Sequence, residues 1–298
     1  MSSETSRRDF LKLTVAGTAA LGALPSSLKA AAGQGSGKLA LDKGVVYSML
    51  GNQMSVPDRF KLARDTGFQV VQVPTPPDPH EAEVIKKAAD AAGIRIDSTM
   101  NPRLWKYPLS SADSSVVAES VKSVQGTLRT AKMWGAEAVL VVPAVVNPET
   151  SYREAWERSQ KQIRKLLPVA EEVKVTIAIE EVWNKFLLSP LEMARYIDEF
   201  HSPWVKCWFD VGNVVFYGYP QDWIHTLDKR IARVHLKDFK ITHSCYEWVD
   251  LGDGEVMWPE VRQALIDTGY TGPVICELKS GDEAYLRDLS RRIDRLLF

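Results

Sequence analysis

Four charged side chains close four successive apolar segments in the second half of this chain. The segments read Ile177-Ala178-Ile179-Glu180, Cys207-Trp208-Phe209-Asp210, Arg233-Val234-His235-Leu236 and Ile275-Cys276-Glu277. An apolar strand has to end in something polar, so one such ending says little. A carboxylate, a carboxylate, an imidazole and a carboxylate in succession say more, because together they suit one divalent ion. The donor set favours Mn²⁺ or Mg²⁺, with Co²⁺ or Zn²⁺ as alternatives. Three carboxylates in one partly dry place repel each other unless a cation neutralises them. The plainer alternative is a ring of ordinary salt bridges.

Four protein ligands on an ion that prefers six leave room for two adjacent oxygens of a hydroxy-ketone. Glu180 and Glu277, from opposite sides of the group, could then act as base and acid on the two faces of a small sugar. Taking the proton next to a carbonyl gives an enediolate. Returning it to the opposite face is epimerisation, and returning it to the neighbouring carbon is isomerisation. The residues leave both open.

The elements that would position these groups alternate along the chain. Strand candidates fall at 44–49, 68–73, 94–99, 138–142, 175–180, 205–210, 231–236 and 274–277, with amphipathic helical patterns at 57–66, 80–92, 114–134, 152–173 and 190–200. Gly67, Gly93 and Gly135 follow helical stretches, where a left-handed cap is needed. Eight strands with intervening helices predict a single (β/α)8 TIM barrel over residues 43–298, whose working groups belong at the C-terminal strand ends. An open doubly wound sheet would call for a nucleotide-type glycine loop, and neither G-x-G-x-x-G nor a P-loop is present.

Strand alternation then chooses between neighbours. If Val175, Ile177 and Ile179 face the helices, Glu180 rather than Glu181 faces inward. The same parity aims Arg233, His235 and Lys237 inward on the seventh strand and pairs Ile275 with Glu277 on the eighth. Lys237 by this parity and Asn213 by its loop position are candidate substrate contacts, with Trp183 and Asn184 from the loop after the fifth strand. Trp105 and Tyr107 could also line a sugar pocket. His201, His225 and His243 lack partner spacing and read as surface or capping residues. Residues 287–295 read as the solvated face of the last helix.

Bulk properties narrow the function. Residues 1–32 place Arg7-Arg8-Asp9-Phe10-Leu11-Lys12 before an apolar stretch and Ala30-Ala31-Ala32, the order of a twin-arginine export signal. The expectation is handling by the twin-arginine machinery and a periplasmic location. The apolar stretch is shorter than the ~20 residues of a span. This segment carries four basic and two acidic residues, so the net charge of −1 becomes −3 without it. That balance argues against a nucleic-acid partner, and no later run is long enough for a stable membrane span. Residues 33–42 form a glycine-rich lead-in expected to be flexible. Three cysteines, two in strands, give neither a disulfide framework nor a zinc spacing.

The chain resembles the sugar phosphate isomerase/epimerase superfamily, the xylose isomerase-like barrels. The resemblance is densest from about 174 to 278. It is carried by Val175 through Glu180, Trp183 through Pro190, Phe209-Asp210-Val211-Gly212-Asn213, Val234-His235-Leu236-Lys237-Asp238, Leu251-Gly252-Asp253-Gly254-Glu255 and Gly269 through Pro273. It implies metal ligands at Glu180, Asp210, His235 and Glu277, and, from the ketose 3-epimerases, proton transfer by Glu180 and Glu277. The chain departs from many relatives at Glu181, where they have Asn, and at Asn213, where they have His. At two further offsets used by the ketose 3-epimerases it has Ile241 and Leu187, so substrate identity does not carry over.

The leading expectation is a metal-dependent sugar isomerase or epimerase. A metal-dependent lyase on keto-sugar glycosides would use the same proton removal, followed by loss of a leaving group. A non-catalytic periplasmic sugar-binding barrel is a third reading. An endonuclease-like phosphodiesterase needs a histidine-rich zinc cluster and a basic groove, which five histidines and a net −3 do not supply.

Overall fold

A computed structural model describes residues 39–242 and 246–298. The expected export signal lies outside the described residues, as do His243 and Cys245. Eight parallel strands close into a barrel: β1 (Lys43–Val46), β2 (Val70–Pro74), β3 (Arg95–Met100), β4 (Ala138–Val141), β5 (Thr176–Glu180), β6 (Val205–Asp210), β7 (Ile231–Leu236) and β10 (Val274–Cys276). Closure is made by β1 against β10, with Gly44 opposite Ile275. Helices α1 (Val56–Asp65), α2 (Pro79–Ala92), α3 (Ser114–Trp134), α4 (Tyr152–Val173), α5 (Pro190–Asp198), α6 (Pro220–Leu227) and α7 (Trp258–Asp267) follow successive barrel strands, and α8 (Glu283–Leu297) ends the chain. The predicted single TIM barrel is the observed fold.

Local sequence explains the boundaries. Asp78, Asp113 and Ser189 each accept a backbone N–H as helix N-caps, and Ser151 with Glu154 forms a full capping box at α4. Gly93 and Gly135 end α2 and α3 at φ 69° and 75°, a left-handed conformation that a side chain disfavours. On α8, Leu286, Leu289, Ile293 and Leu297 are buried, while Arg287 and Arg292 pair with Glu283 and Asp288 one turn earlier on the wet face. Among the described residues, no helix is long and apolar enough to cross a membrane.

Three local features differ from the sequence reading. Residues 47–49, read as the end of the first strand, form a 3-10 turn. The end of the expected flexible lead-in is held in place: Leu39 is buried, and the Asp42 carbonyl accepts the Val274 N–H at 3.0 Å. An antiparallel hairpin, β8 (Asp238–Ile241) with β9 (Tyr246–Val249), is inserted between β7 and α7. Its strands are too short for their alternation to register against the longer helical pattern.

The hairpin is fixed by one buried residue. The Asp238 carboxylate accepts the N–H groups of Phe239, Gly252 and Val256 and the Trp258 indole N–H, at 2.8–3.2 Å. Glu255 adds an acceptor for the Ile241 N–H at 2.9 Å. The Leu251-Gly252-Asp253-Gly254-Glu255 motif is therefore a strap that anchors the hairpin to the end of β7. At the opposite end of the barrel, Arg233 donates to Asp97 and Glu137 at 2.6–3.1 Å. That buried network closes the floor.

Candidate metal centre

Four parallel strand ends bring Glu180, Asp210, His235 and Glu277 together. Each offers one ligand atom, and these atoms lie within 4.8 Å of one another. Register explains the meeting: Asp210 stands opposite His235, His235 opposite Ile275, and the Glu277 N–H donates to the Leu236 carbonyl at 3.1 Å. Glu180, Asp210 and His235 are buried and Glu277 is largely so.

The donors point at a common centre. His235 Nδ1 lies 2.9 Å from both Glu180 Oε1 and Glu277 Oε2 and 3.7 Å from Asp210 Oδ2. Its other nitrogen, Nε2, is 2.8 Å from Gln72 Oε1, which orients the ring. Asp210 Oδ1 accepts the N–H groups of Gly212 and Asn213 at 2.9 and 3.0 Å, which turns Oδ2 toward the cluster. Buried Oδ2 receives no directed hydrogen bond; Lys237 Nζ sits 2.9 Å away in ionic contact only. An imidazole nitrogen aimed at carboxylates and a buried carboxylate oxygen without a hydrogen-bond donor fit a divalent cation.

Electrostatics follow from crowding. Burial pushes the Glu180 carboxyl above the usual carboxylate range, against the pull of His235. Burial acts the same way on Glu277, but His235 and Lys237 outweigh it and hold that carboxyl well below the range. Burial disfavours the His235 imidazolium, yet Glu277 and Glu180 lift it to about 9. Lys237, 2.9 Å from Asp210 Oδ2 and 2.9 Å from Glu277 Oε2, is raised against burial by the same carboxylates.

The other candidates are placed differently. Lys237 is at the cluster, engaged with two carboxylates. The Asn213 amide donates to the Glu181 carbonyl at 2.9 Å, and the Asn213 carbonyl accepts the Trp183 indole N–H at 3.0 Å. The Asn184 amide donates to the Ala144 carbonyl at 2.7 Å and accepts the Phe186 N–H. Both asparagines thus brace the loops beside the cluster. Trp183 is 38% exposed at the rim, and Trp105, at 59%, is on the loop after β3. His225 pairs with Asp267 on the surface.

Sequence reasoning did not single out Gln72 or Glu181 for a role at this site. Gln72 is the polar residue in Val70-Val71-Gln72-Val73, an interruption that marks an inward position. Glu181 is buried; its Oε1 accepts the Asp210 N–H at 2.8 Å, its Oε2 has no hydrogen-bond partner, and burial drives its carboxyl well above the usual range.

A model of the xylose isomerase-like TIM barrel family matches residues 60–296. The chain belongs to that family. Among curated proteins it is similar to the L-ribulose-5-phosphate 3-epimerase UlaE of Escherichia coli O1:K1, 22% identical over 234 residues that cover 75% of this chain and 82% of the relative. Among solved structures it is similar to an L-ribulose 3-epimerase, with TM-score 0.74 and 18% identity over 86% of this chain and 94% of that one. It is also similar to the 3-keto-D-glucoside 4-epimerase YcjR of E. coli, with TM-score 0.71 and 14% identity over 86% and 98% of the two chains. These relatives are sugar epimerases, and this chain is an enzyme of the same family.

Proposed function

We propose that this chain is a divalent-metal-dependent epimerase of a small ketose or keto-sugar. The observation that carries the reading is the convergence of Glu180, Asp210, His235 and Glu277 within 4.8 Å at the C-terminal mouth of the barrel. These four side chains would hold the ion, Mn²⁺ or Mg²⁺ before Co²⁺ or Zn²⁺. When bound, it would polarise the sugar carbonyl and offset the negative charge that develops next to it.

The protein's own groups do the rest. One of Glu180 and Glu277 takes the proton from the carbon next to the carbonyl, and the other delivers a proton to the opposite face. Gln72 holds the His235 ring so that Nδ1 faces the carboxylates. Asn184 and Asn213 keep the neighbouring loops in register, and Trp183 offers a flat apolar surface to the sugar. The epimerase names of the relatives support epimerisation over aldose–ketose isomerisation. A phosphorylated substrate has less support, since Lys237 is already shared between two carboxylates. The reading includes export by the twin-arginine route, supported by Arg7-Arg8 and the apolar stretch after them; cell fractionation with an Arg7→Lys/Arg8→Lys variant tests it.

The test of the chemistry is exchange of substrate hydrogen in D2O, followed by NMR, beside elemental analysis of the protein. The expected result is one ion per chain and deuterium at the carbon next to the carbonyl. Exchange should be lost in Glu180→Gln and Glu277→Gln, and the metal in His235→Ala. Exchange that persists in both glutamate variants would end this reading.

A further inference from the structure

The rim beside the metal cluster carries five packed aromatic rings from three separate segments. Trp183 follows β5, Phe216 follows β6, and Phe239, Tyr246 and Trp248 lie on the β8–β9 hairpin. Trp183 is the hub, with ring centroids 5.1 Å from Trp248, 5.2 Å from Phe239, 5.5 Å from Tyr246 and 6.0 Å from Phe216. Phe239 is buried, but Trp183, Trp248, Phe216 and Tyr246 are 38, 44, 52 and 57% exposed. A monomer seldom leaves so much contiguous aromatic surface wet without a use for it.

Two features tie this panel to the metal centre. Trp248 lies with Lys237 Nζ 5.3 Å from its ring centroid and, together with Lys237 and Glu277, lines a cavity of about 350 Å³. The panel therefore meets the cavity beside Glu277 through the Trp248 ring. It is also anchored at two points. The Trp183 indole is fixed on the Asn213 carbonyl, and Asp238 anchors the hairpin. Gly212 leaves the ring its space, since a Cβ there would come within 2.6 Å of Lys237 Cβ and 3.0 Å of the Trp248 ring.

We propose that this panel is a second subsite, taking a ring attached to the reacting sugar, so that the substrate is a glycoside and not a bare monosaccharide. The inference rests on the epimerase reading. Charged groups at the floor of the cavity engage the polar keto-sugar, and aromatic faces outside it engage the C–H face of a second sugar or an aromatic aglycone. Anchored rings lose little entropy on binding.

The test uses a 3-keto-glucose and its phenyl and glucosyl glycosides with the metal-loaded full chain, reading binding by calorimetry and tryptophan fluorescence. Both glycosides are expected to bind at least about tenfold more tightly than the bare keto-sugar. Tyr246→Ala and Phe216→Ala, changes at exposed positions, are expected to erase that preference while moving the bare-sugar Kd less than about twofold. Equal affinity for all three ligands, or an equal loss for all three in both variants, overturns the subsite. So does a wild-type dimer by light scattering that both variants turn into monomers, because the panel is then an interface between copies. Deuterium exchange into the bare keto-sugar reports on the epimerase reading separately, so the two can fail independently.

Discussion

Replacing Lys237 with methionine should weaken the metal-free fold and tighten metal binding together. The ammonium is 2.9 Å from Asp210 Oδ2 and 2.9 Å from Glu277 Oε2, oxygens that the proposed ion would also claim. At an effective dielectric of about 20, each contact is a gross attraction of about 6 kcal/mol, much of it offset by desolvation. Deleting one partner of a buried pair costs about 3–5 kcal/mol, because the other is left uncompensated. At about 2–4 °C per kcal/mol, the metal-free variant should melt roughly 6–20 °C lower. For metal binding the sign reverses, since ammonium and ion compete for the same oxygens. A coupling of about 1–3 kcal/mol corresponds to about 5–150-fold tighter binding in the variant. Methionine preserves most of the stem volume, so packing changes little. Thermal melts of the chelator-treated protein and calorimetric titration with Mn²⁺ read the two effects. Weaker Mn²⁺ binding in the variant would refute the argument, for Lys237 would then be holding the carboxylates in place for the ion.

Three further outcomes are expected. Gln72→Leu should cost about 10–100-fold in metal affinity with little loss of fold, because the His235 ring loses the acceptor that orients it; unchanged affinity by calorimetry would contradict this. Arg233→Met should lower stability by about 3–5 kcal/mol in denaturant titrations by stranding buried Asp97, while metal binding at the far end is unchanged. Glu181→Gln should stabilise increasingly as pH rises. The folded carboxyl is raised above its ordinary 4.5, so its contribution is fully present below 4.5 and is lost as pH climbs toward the folded value. The glutamine variant does not titrate there; a gap that narrows between pH 5 and 9 would overturn the assignment.

Much of the barrel was legible because its signals are local. Helix-ending glycines, amphipathic patterns and apolar runs placed α3, α4, β6 and β7 at their observed bounds. The hairpin was not legible. Its strands are four residues each, and what holds them is a single carboxylate whose four donors span residues 239–258. Asn184 and Asn213 were read as candidate substrate contacts; that an amide N–H of each donates to a loop carbonyl is a pairing made only once those loops pack together.

The sequence alone determined which face of their strands Glu180, His235 and Glu277 occupy, because alternation is set by backbone geometry from one residue to the next. Tertiary structure decided who meets whom across the barrel. Gln72 reaches His235 over 163 positions of chain, and Lys237 settles between Asp210 and Glu277. Those pairings depend on the stagger at which eight strands close and on the balance of charge in the space they enclose. No short stretch of chain encodes either.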